Sequence, residues 1–428
     1  MTCKYNVGNT LDSTWAGRIL DLIRVLFPIC RSITGDGVRQ TLKIIGDHIP
    51  LEIHEVPSGT QVFDWTVPSE WNIRDAWVRD PHGQKIIDFH SCNLHVLHYS
   101  VPIHTSLPLT ELKPHLFTLP EHPEWIPYRT TYYKEDWGFC LPHSQFLALN
   151  EGIYEVCVDS KLENGHLTYG ECLIAGQTPE EILISTHVCH PSMANDNLSG
   201  VATATYLAKH LSKHRTRYSY RFLFIPGTIG AITWLQQNFK HVDQIKHGLV
   251  LSGLGDPGKI TYKRSRRGNA EIDRGAEYVL NHRACGDSII NFSPYGYDER
   301  QYCSPGFNLP VGRFSRTPFG EYKQYHTSAD NLDFVQLDSL ADSFSVLINI
   351  FELLESNVHY INQSPFCEPQ LGKKKLYDHI GPDQLAMLWV LNLSDGDHSL
   401  LDIAQRSNID FRSIRHAADV LHNFNLLK

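Results

Sequence analysis

Three features of the sequence predict an α/β protein: a mixed sheet flanked by helices, an inserted β-rich module and a C-terminal winged helix-turn-helix. The first is a series of near-continuous apolar runs, "EILIST" (181–186), "YRFLFIP" (220–226) and "HGLVLSGLG" (247–255), separated by helical patterns at 200–212 and 228–239. Strands without polar alternation are buried on both faces, and a strand–helix alternation buries them by placing helices on either side of a partly parallel sheet. The second is a change of texture between residues 50 and 150, which hold five of the eight Trp, many Pro and short alternating runs such as "AWVRD". The third is the rhythm of "SLLDIAQRSNIDFRSIRHAADVLHNFNLLK" at the C-terminus, where Ile403, Ile409, Ile414 and Leu421 recur as in a helix-turn-helix with a wing.

Taken in order, residues 14–49 read as helix, with Ile19, Leu20, Ile23 and Leu26 on one face and a break at Gly35 and Gly37. Near Gly152 the strand–helix pattern begins. "GIYEVCVDS" and "HLTYGECLI" read as a hairpin about "KLENG", because Asn-Gly is a turn signal. A long helix is expected over 334–357, then a linker, "NQSPFCEPQLGKKK". The resulting division is an α/β domain of residues 1–50 and 151–362, an inserted module of 51–150 and a winged helix-turn-helix of 372–428.

The chain has 428 residues, more than one average core accommodates. A net charge of −9 gives no electrostatic ground for a nucleic-acid or anionic-membrane partner. No apolar run approaches the ~18 residues of a membrane span. Arg18, Asp21 and Arg24 interrupt the N-terminal apolar stretch, so a secretory signal is not expected. Ten Cys are scattered without CxxC pairs, which fits free thiols in a cytoplasmic setting. Residues 372–428 carry seven Lys/Arg against seven Asp. DNA readers show a basic face, so this module is expected to pack on protein, with a homo-oligomer as one outcome.

Chemistry concentrates in "STHVCHPSMANDNLSG" (185–200). His187 follows a buried strand, where its side chain is aimed at the carboxyl edge of the sheet, the ligand-binding side of such folds. Asp196 stands nine residues on, before a helix; metal ligation and simple N-capping are both open at this point. His326 lies far downstream in "GEYKQYHTSADNLDFV", where Asp330 reads as the N-cap of the long helix.

The order His, "ANDN-SG", "YHTSADNLDFV" resembles the zinc aminopeptidases related to leucyl aminopeptidase and glutamate carboxypeptidase. The phrases "RSITGDGVR", "IPYRTTYY", "WGFC", "STHVCHPSMANDNLSG" and "DERQYCSPG" more closely resemble a bacterial aminopeptidase-like family, long classed as a domain of unknown function and associated with polysaccharide biosynthesis loci. The resemblance implies a zinc-aminopeptidase-like sheet and metal ligands at His187, Asp196 and His326, the Asp bridging two zincs in the wider family. Three positions depart from that pattern. Cys189 stands where the wider family has an acid, Gly227-Thr228 where it has a general base and a ligand, and Ser252 near a further Asp ligand. One zinc per chain, with three protein ligands and an open position, is therefore the expectation.

Hydrolysis requires a proton acceptor. Glu321, five residues before His326, is the leading expectation, followed by Asp298 and Glu299. His190, three residues after His187, reads as a surface turn residue before a ligand or a partner to one, and Cys189 as inert packing before a thiolate ligand. Arg129 and Tyr133 in the inserted module, Arg266 in "SRRGNAEID" and Arg300 are the expected substrate contacts, suited to a sugar-linked or carboxylate-bearing molecule. The leading function is a zinc-dependent hydrolase of an amide bond in a small peptide, N-acyl or sugar-linked substrate. The alternatives are a catalytically degenerate binding or scaffold protein, motivated by Gly227, and a regulator acting through the winged helix.

Overall fold

The computed structural model describes residues 14–283, 285–374, 376 and 384–428. They form two compact units, one ending at Ile348 and the other covering Asn349–Lys428.

The first unit is built on an eight-stranded mixed sheet. Its order is Glu52–Pro57, His166–Ile174, Ser219–Ile225, Glu181–His187, Ile245–Leu251, Val311–Ser315, Thr261–Lys263 and Ser288–Ile290. The four central strands, from 219–225 to 311–315, are parallel, and the two strands before them run antiparallel. Every residue of Glu181–His187 is buried, as its apolar run requires. Helices Gly200–Leu211 and Ile229–Gln237 follow their strands as the sequence predicts. The N-terminal helices Thr14–Leu26 and Asp36–Gly46 bury Ile19, Ile23, Leu26, Val38, Leu42 and Ile45 at helical spacing.

A second sheet, ordered Lys85–Asp88, Glu70–Arg79, Ile153–Glu163 and Ile103–Pro108, is wholly antiparallel. Here the predicted hairpin fails. Strand 153–163 pairs with 70–79 and 103–108, whereas 166–174 pairs with 52–57 and 219–225 in the large sheet. Asn164-Gly165 is a crossover between sheets. Its partner is Glu70, which accepts the His166 N–H (2.8 Å) and a two-pronged bond from Arg39 (2.7 and 2.6 Å). A Cβ at position 165 would lie 2.3 Å from the Glu70 carboxylate, so glycine is needed for close approach. The expected boundaries at 51 and 150 are therefore crossed from both sides, since 52–57 belongs to the large sheet and 153–163 is central in the small one. One apolar core spans both, with Trp71, Tyr154 and Val158 joined to Leu183, Leu223 and Ile225.

In the second unit, His359–Ile361 pairs with Asp395–Ser399, and Ile361 exchanges both backbone bonds with Lys428. Helices Gln384–Leu393, Leu400–Ser407 and Phe411–Asn423 complete it. The winged module thus includes strand 359–361, ahead of the expected start at 372. Among the described residues eight Cys carry free thiols, while Cys285 is disulfide-bonded, a departure from the expected free thiols. No helix among the described residues is long and apolar enough to cross a membrane.

The Arg39 guanidinium holds the Glu70 carboxyl down at about 2. A depressed carboxyl stabilises the fold above the ordinary glutamate range and loses that contribution as pH falls through its folded value. Glu70→Gln is expected to lower stability toward urea by about 1–2 kcal/mol at pH 7. The difference from the unmutated protein should close as the pH is brought down toward 2.

Candidate functional site

His187 is the last residue of its strand, and Asp196 sits in the tight turn that leads into helix 200–211. Both are buried. His187 Nε2 lies 2.9 Å from Asp196 Oδ1, and His326 Nε2 lies 3.1 Å from Asp196 Oδ2. The second pair is not aligned to share a hydrogen, so both atoms are buried without a hydrogen-bond partner. His190 completes the group. Ligand atoms of His187, His190 and Asp196 all lie within 4.8 Å of one another, which corrects the expectation that His190 is a turn residue. Burial alone raises the Asp196 carboxyl, yet the surrounding imidazoles, His190 foremost, hold it well below its ordinary value. Burial in turn pushes the His190 imidazole well below its ordinary value, against the pull of the Asp196 carboxylate.

Long-range contacts fix each of these groups. Asp330 accepts the backbone N–H groups of Asn195 (2.6 Å) and Asp196 (2.9 Å). It is therefore a clamp on the Asp196 turn rather than the N-cap of the long helix, which begins only at Leu337. Its own carboxyl is pushed up to about 8, by burial first and by the negative Asp196 and Asp256 nearby. Asn197 donates to Thr186 Oγ1 (2.8 Å) and the Leu251 carbonyl (3.1 Å), tying the turn to two strand ends. The fully buried Arg31 donates to the carbonyls of His190 (2.8 Å) and Pro191 (3.2 Å). His326, at φ +55°, is held from the inserted module: Tyr128 N–H donates to its carbonyl (2.8 Å) and Ser328 N–H to that of Ile126 (2.8 Å).

The opposite wall comes from residues 293–300. Lys263, buried, donates to Glu299 (2.9 Å) and to the carbonyls of Ser293 and Tyr295, anchoring this loop from beneath. Tyr297 stacks on His187 with ring centroids 4.8 Å apart and donates to Asp196 Oδ1 (3.2 Å). Next to it, Asp298 is buried with Oδ1 unpaired. A Cβ built on Gly227 would lie 3.5 and 3.6 Å from the Asp298 oxygens. A carboxylate from another loop thus stands beside the position where the resemblance expects a base. Burial pushes the Asp298 carboxyl up to about 7.

Two cavities flank His190. One, of 280 Å³, is lined by Asp298, Arg300, Tyr297 and Tyr325; the other, of 260 Å³, by Arg129, Tyr128, Tyr132 and His326; both reach Gly227. Arg300 Nε is buried and unpaired, and Arg129 is exposed at the edge of its cavity. Tyr133 lies outside the lining, exposed and edge-on to Trp65 at 5.7 Å. Arg266 lines neither cavity and bonds to Asn308 (2.9 Å). Glu321, the leading expectation for a base, is exposed and lines neither, while Phe319, Tyr325 and His326 of the same loop turn inward. Cys189 is buried, its thiol pushed up to about 12 by burial, as inert packing requires. Sequence reading missed Tyr297, although it adjoins Asp298, and gave no role to Arg31 or Lys263, whose partners lie far away in the chain.

A mixed eight-stranded sheet with this cluster at its carboxyl edge defines an α/β protein of the zinc-aminopeptidase fold. The zinc aminopeptidase BSAP of Bacillus subtilis shares that fold at a TM-score of 0.58, with 11% identity over 79% of this chain and 94% of that one. More particularly, the chain belongs to the family described as a domain of unknown function, DUF4910, matched over residues 20–357, with a winged helix-turn-helix family matched over 358–428. It is 55% identical, over 97% of both chains, to a Clostridium acetobutylicum protein named as a candidate polysaccharide biosynthesis protein with an aminopeptidase-like domain. The crystal structure of a candidate peptidase from that organism aligns at a TM-score of 0.93 with 55% identity, covering 97% of each chain.

Breaking a buried ion pair from one side leaves an uncompensated charge. Lys263→Met is expected to cost about 3–5 kcal/mol in urea denaturation. Adding Glu299→Leu should recover most of the loss, since the paired apolar replacement leaves no charge behind.

Proposed function

We propose that this chain is a metal-dependent hydrolase that cleaves an amide bond, peptide or N-acyl, in a small or sugar-linked substrate. The observation that carries this reading is the convergence on the buried Asp196 carboxylate, with His187 Nε2 2.9 Å from Oδ1 and His326 Nε2 3.1 Å from Oδ2, the latter pair poorly aligned for a hydrogen bond. A cation between them would satisfy both, and a set of imidazoles with one carboxylate suits zinc. We assign one zinc to His187, Asp196 and His326. The positions where the resemblance expects further acids, the general base among them, are occupied by Cys189, Gly227, Thr228 and Ser252, none of which offers a carboxylate.

A bound zinc supplies Lewis-acid chemistry, polarising an amide carbonyl and acidifying water. The chain's own residues do the rest. Asp298 accepts a proton, its raised carboxyl being matched to near-neutral conditions. Tyr297 keeps His187 and Asp196 in register by stacking on one and donating to the other. His190 stands between the two cavities and meets the substrate from both. Arg129 and Arg300 sit on opposite sides, where each can pair with an anionic or carbonyl group of the substrate. The polysaccharide-biosynthesis name of the Clostridium relative supports a sugar-linked substrate.

Metal analysis of purified protein should give about one zinc per chain. His326→Ala should lose most of it; unchanged zinc would sink the ligand assignment. In a screen of aminoacyl and N-acyl substrates, Asp298→Asn should keep its zinc and lose about 10²–10⁴-fold in turnover, whereas Glu321→Gln should behave like the unmutated protein. Zinc retention without turnover of any substrate would favour the scaffold reading.

A further inference from the structure

The phrase "RSITGDGVR" (31–39) contributes only Arg31 to the metal cluster's surroundings; the rest of it builds something else. Ser32, Thr34, Asp36 and Gly37 form one wall of an 820 Å³ cavity that shares no lining residue with the two flanking His190. Two glycines make this wall possible. Gly35 is at φ +97°, and a Cβ there would meet the Trp71 carbonyl at 2.2 Å; one on Gly37 would meet the Cys30 carbonyl at 2.0 Å. The chain is thereby folded tightly against residues 71–72, where Asn72 accepts the Asp36 N–H (2.7 Å).

The opposite wall is the back of the catalytic loops. Ser192 and Ser328 both line the cavity, each two residues from a histidine of the cluster. Asn93 ties the first of them down by donating to Ser192 Oγ (2.8 Å). A cavity of this volume is in the range that holds a small molecule.

The chemistry of the lining selects the ligand. The charged groups at the rim are already matched by other protein groups: Asp36 with Arg39 (3.1 Å), Arg74 with Asp159 (2.7 Å) and His90 with Asp75 (3.4 Å). No charge is left over for an ionic ligand. The other polar lining groups are hydroxyls and carboxamides, which both donate and accept; Thr34, Asn72 and Asn93 are held by protein partners, Ser32 Oγ is buried without one, and Phe27 and Phe89 add aromatic surface. A pyranose ring presents the same combination, hydroxyl edges and apolar C–H faces. We propose that this cavity is a second ligand site, taking a small neutral saccharide independently of the metal.

The test uses the full-length chain with and without zinc, and three neutral probes: cellobiose, maltose and N,N′-diacetylchitobiose, with glucuronate as an anionic control. Saturation-transfer NMR and calorimetry should show at least one neutral disaccharide binding with a Kd of about 1 mM or tighter, with or without zinc. Gln40 and Ser91 line the cavity and are exposed, so Gln40→Trp and Ser91→Trp can fill it without disturbing the core. Each should weaken binding at least about fivefold at an unchanged melting temperature. No transfer to any neutral probe at about 10 mM, binding indifferent to both substitutions, or preference for glucuronate would overturn the proposal. Zinc-dependent binding would instead place the sugar in the metal site and overturn the independent site.

Discussion

The Asp196 carboxylate is fully buried, and an uncompensated anion there would cost several kcal/mol. Compensation comes from elements that are distant in the chain. One oxygen faces His187 and Tyr297, the other faces His326, and His190 stands close by. Imidazoles are a weak counter-charge for a carboxylate unless they are protonated or share a cation. Two further carboxyls bind the same turn: Asp330, itself pushed up to about 8 by burial, accepts its backbone N–H groups, and Asp256 accepts from the Asn195 side chain. The carboxylate thus depends on three imidazoles and one phenol for its compensation, a donor set that suits the proposed zinc.

Much of this was legible in the sequence. Unbroken apolar runs gave the parallel centre of the sheet, and the positions just after those strands had to lie at its carboxyl edge. The order of the motifs pointed to His187, Asp196 and His326, which the fold brings within contact. The parts that were not legible share one cause. Glu321 and Asp298 are both acids in loops near the site, and nothing local says which loop turns its acid inward. Only the buried Lys263–Glu299 pair decides it for Asp298. Asn164-Gly165 reads as a hairpin turn from its own two residues, while its role as a crossover depends on Glu70, almost a hundred residues earlier. Arg31 looks like any surface arginine until its carbonyl acceptors are known.

The departures at Cys189 and Gly227 acquire a physical meaning once the loops are placed. A small residue at 227 leaves room against His187, and Asp298 comes into that room from the other side. Asp298 lies about seventy residues further along the chain, yet its oxygens stand 3.5 and 3.6 Å from a Cβ built at position 227. Its environment also differs from that of an exposed carboxylate, since burial raises its carboxyl more than the neighbouring His187 and Arg300 lower it.

The interlocking of the two sheets has a consequence for how the molecule can change. Residues 51–150 look like a cassette that could be excised or exchanged. Strand 52–57, however, edges the large sheet, strand 153–163 runs through the middle of the small one, and the 126–128 segment carries the backbone bonds that hold the His326 loop. A chain spliced across that interval would lose the support of an imidazole more than 170 residues downstream. What reads as an insertion in the sequence is a keystone in space, so an exposed loop residue such as Arg129 can change without loss of the fold, whereas wholesale replacement of the module cannot occur.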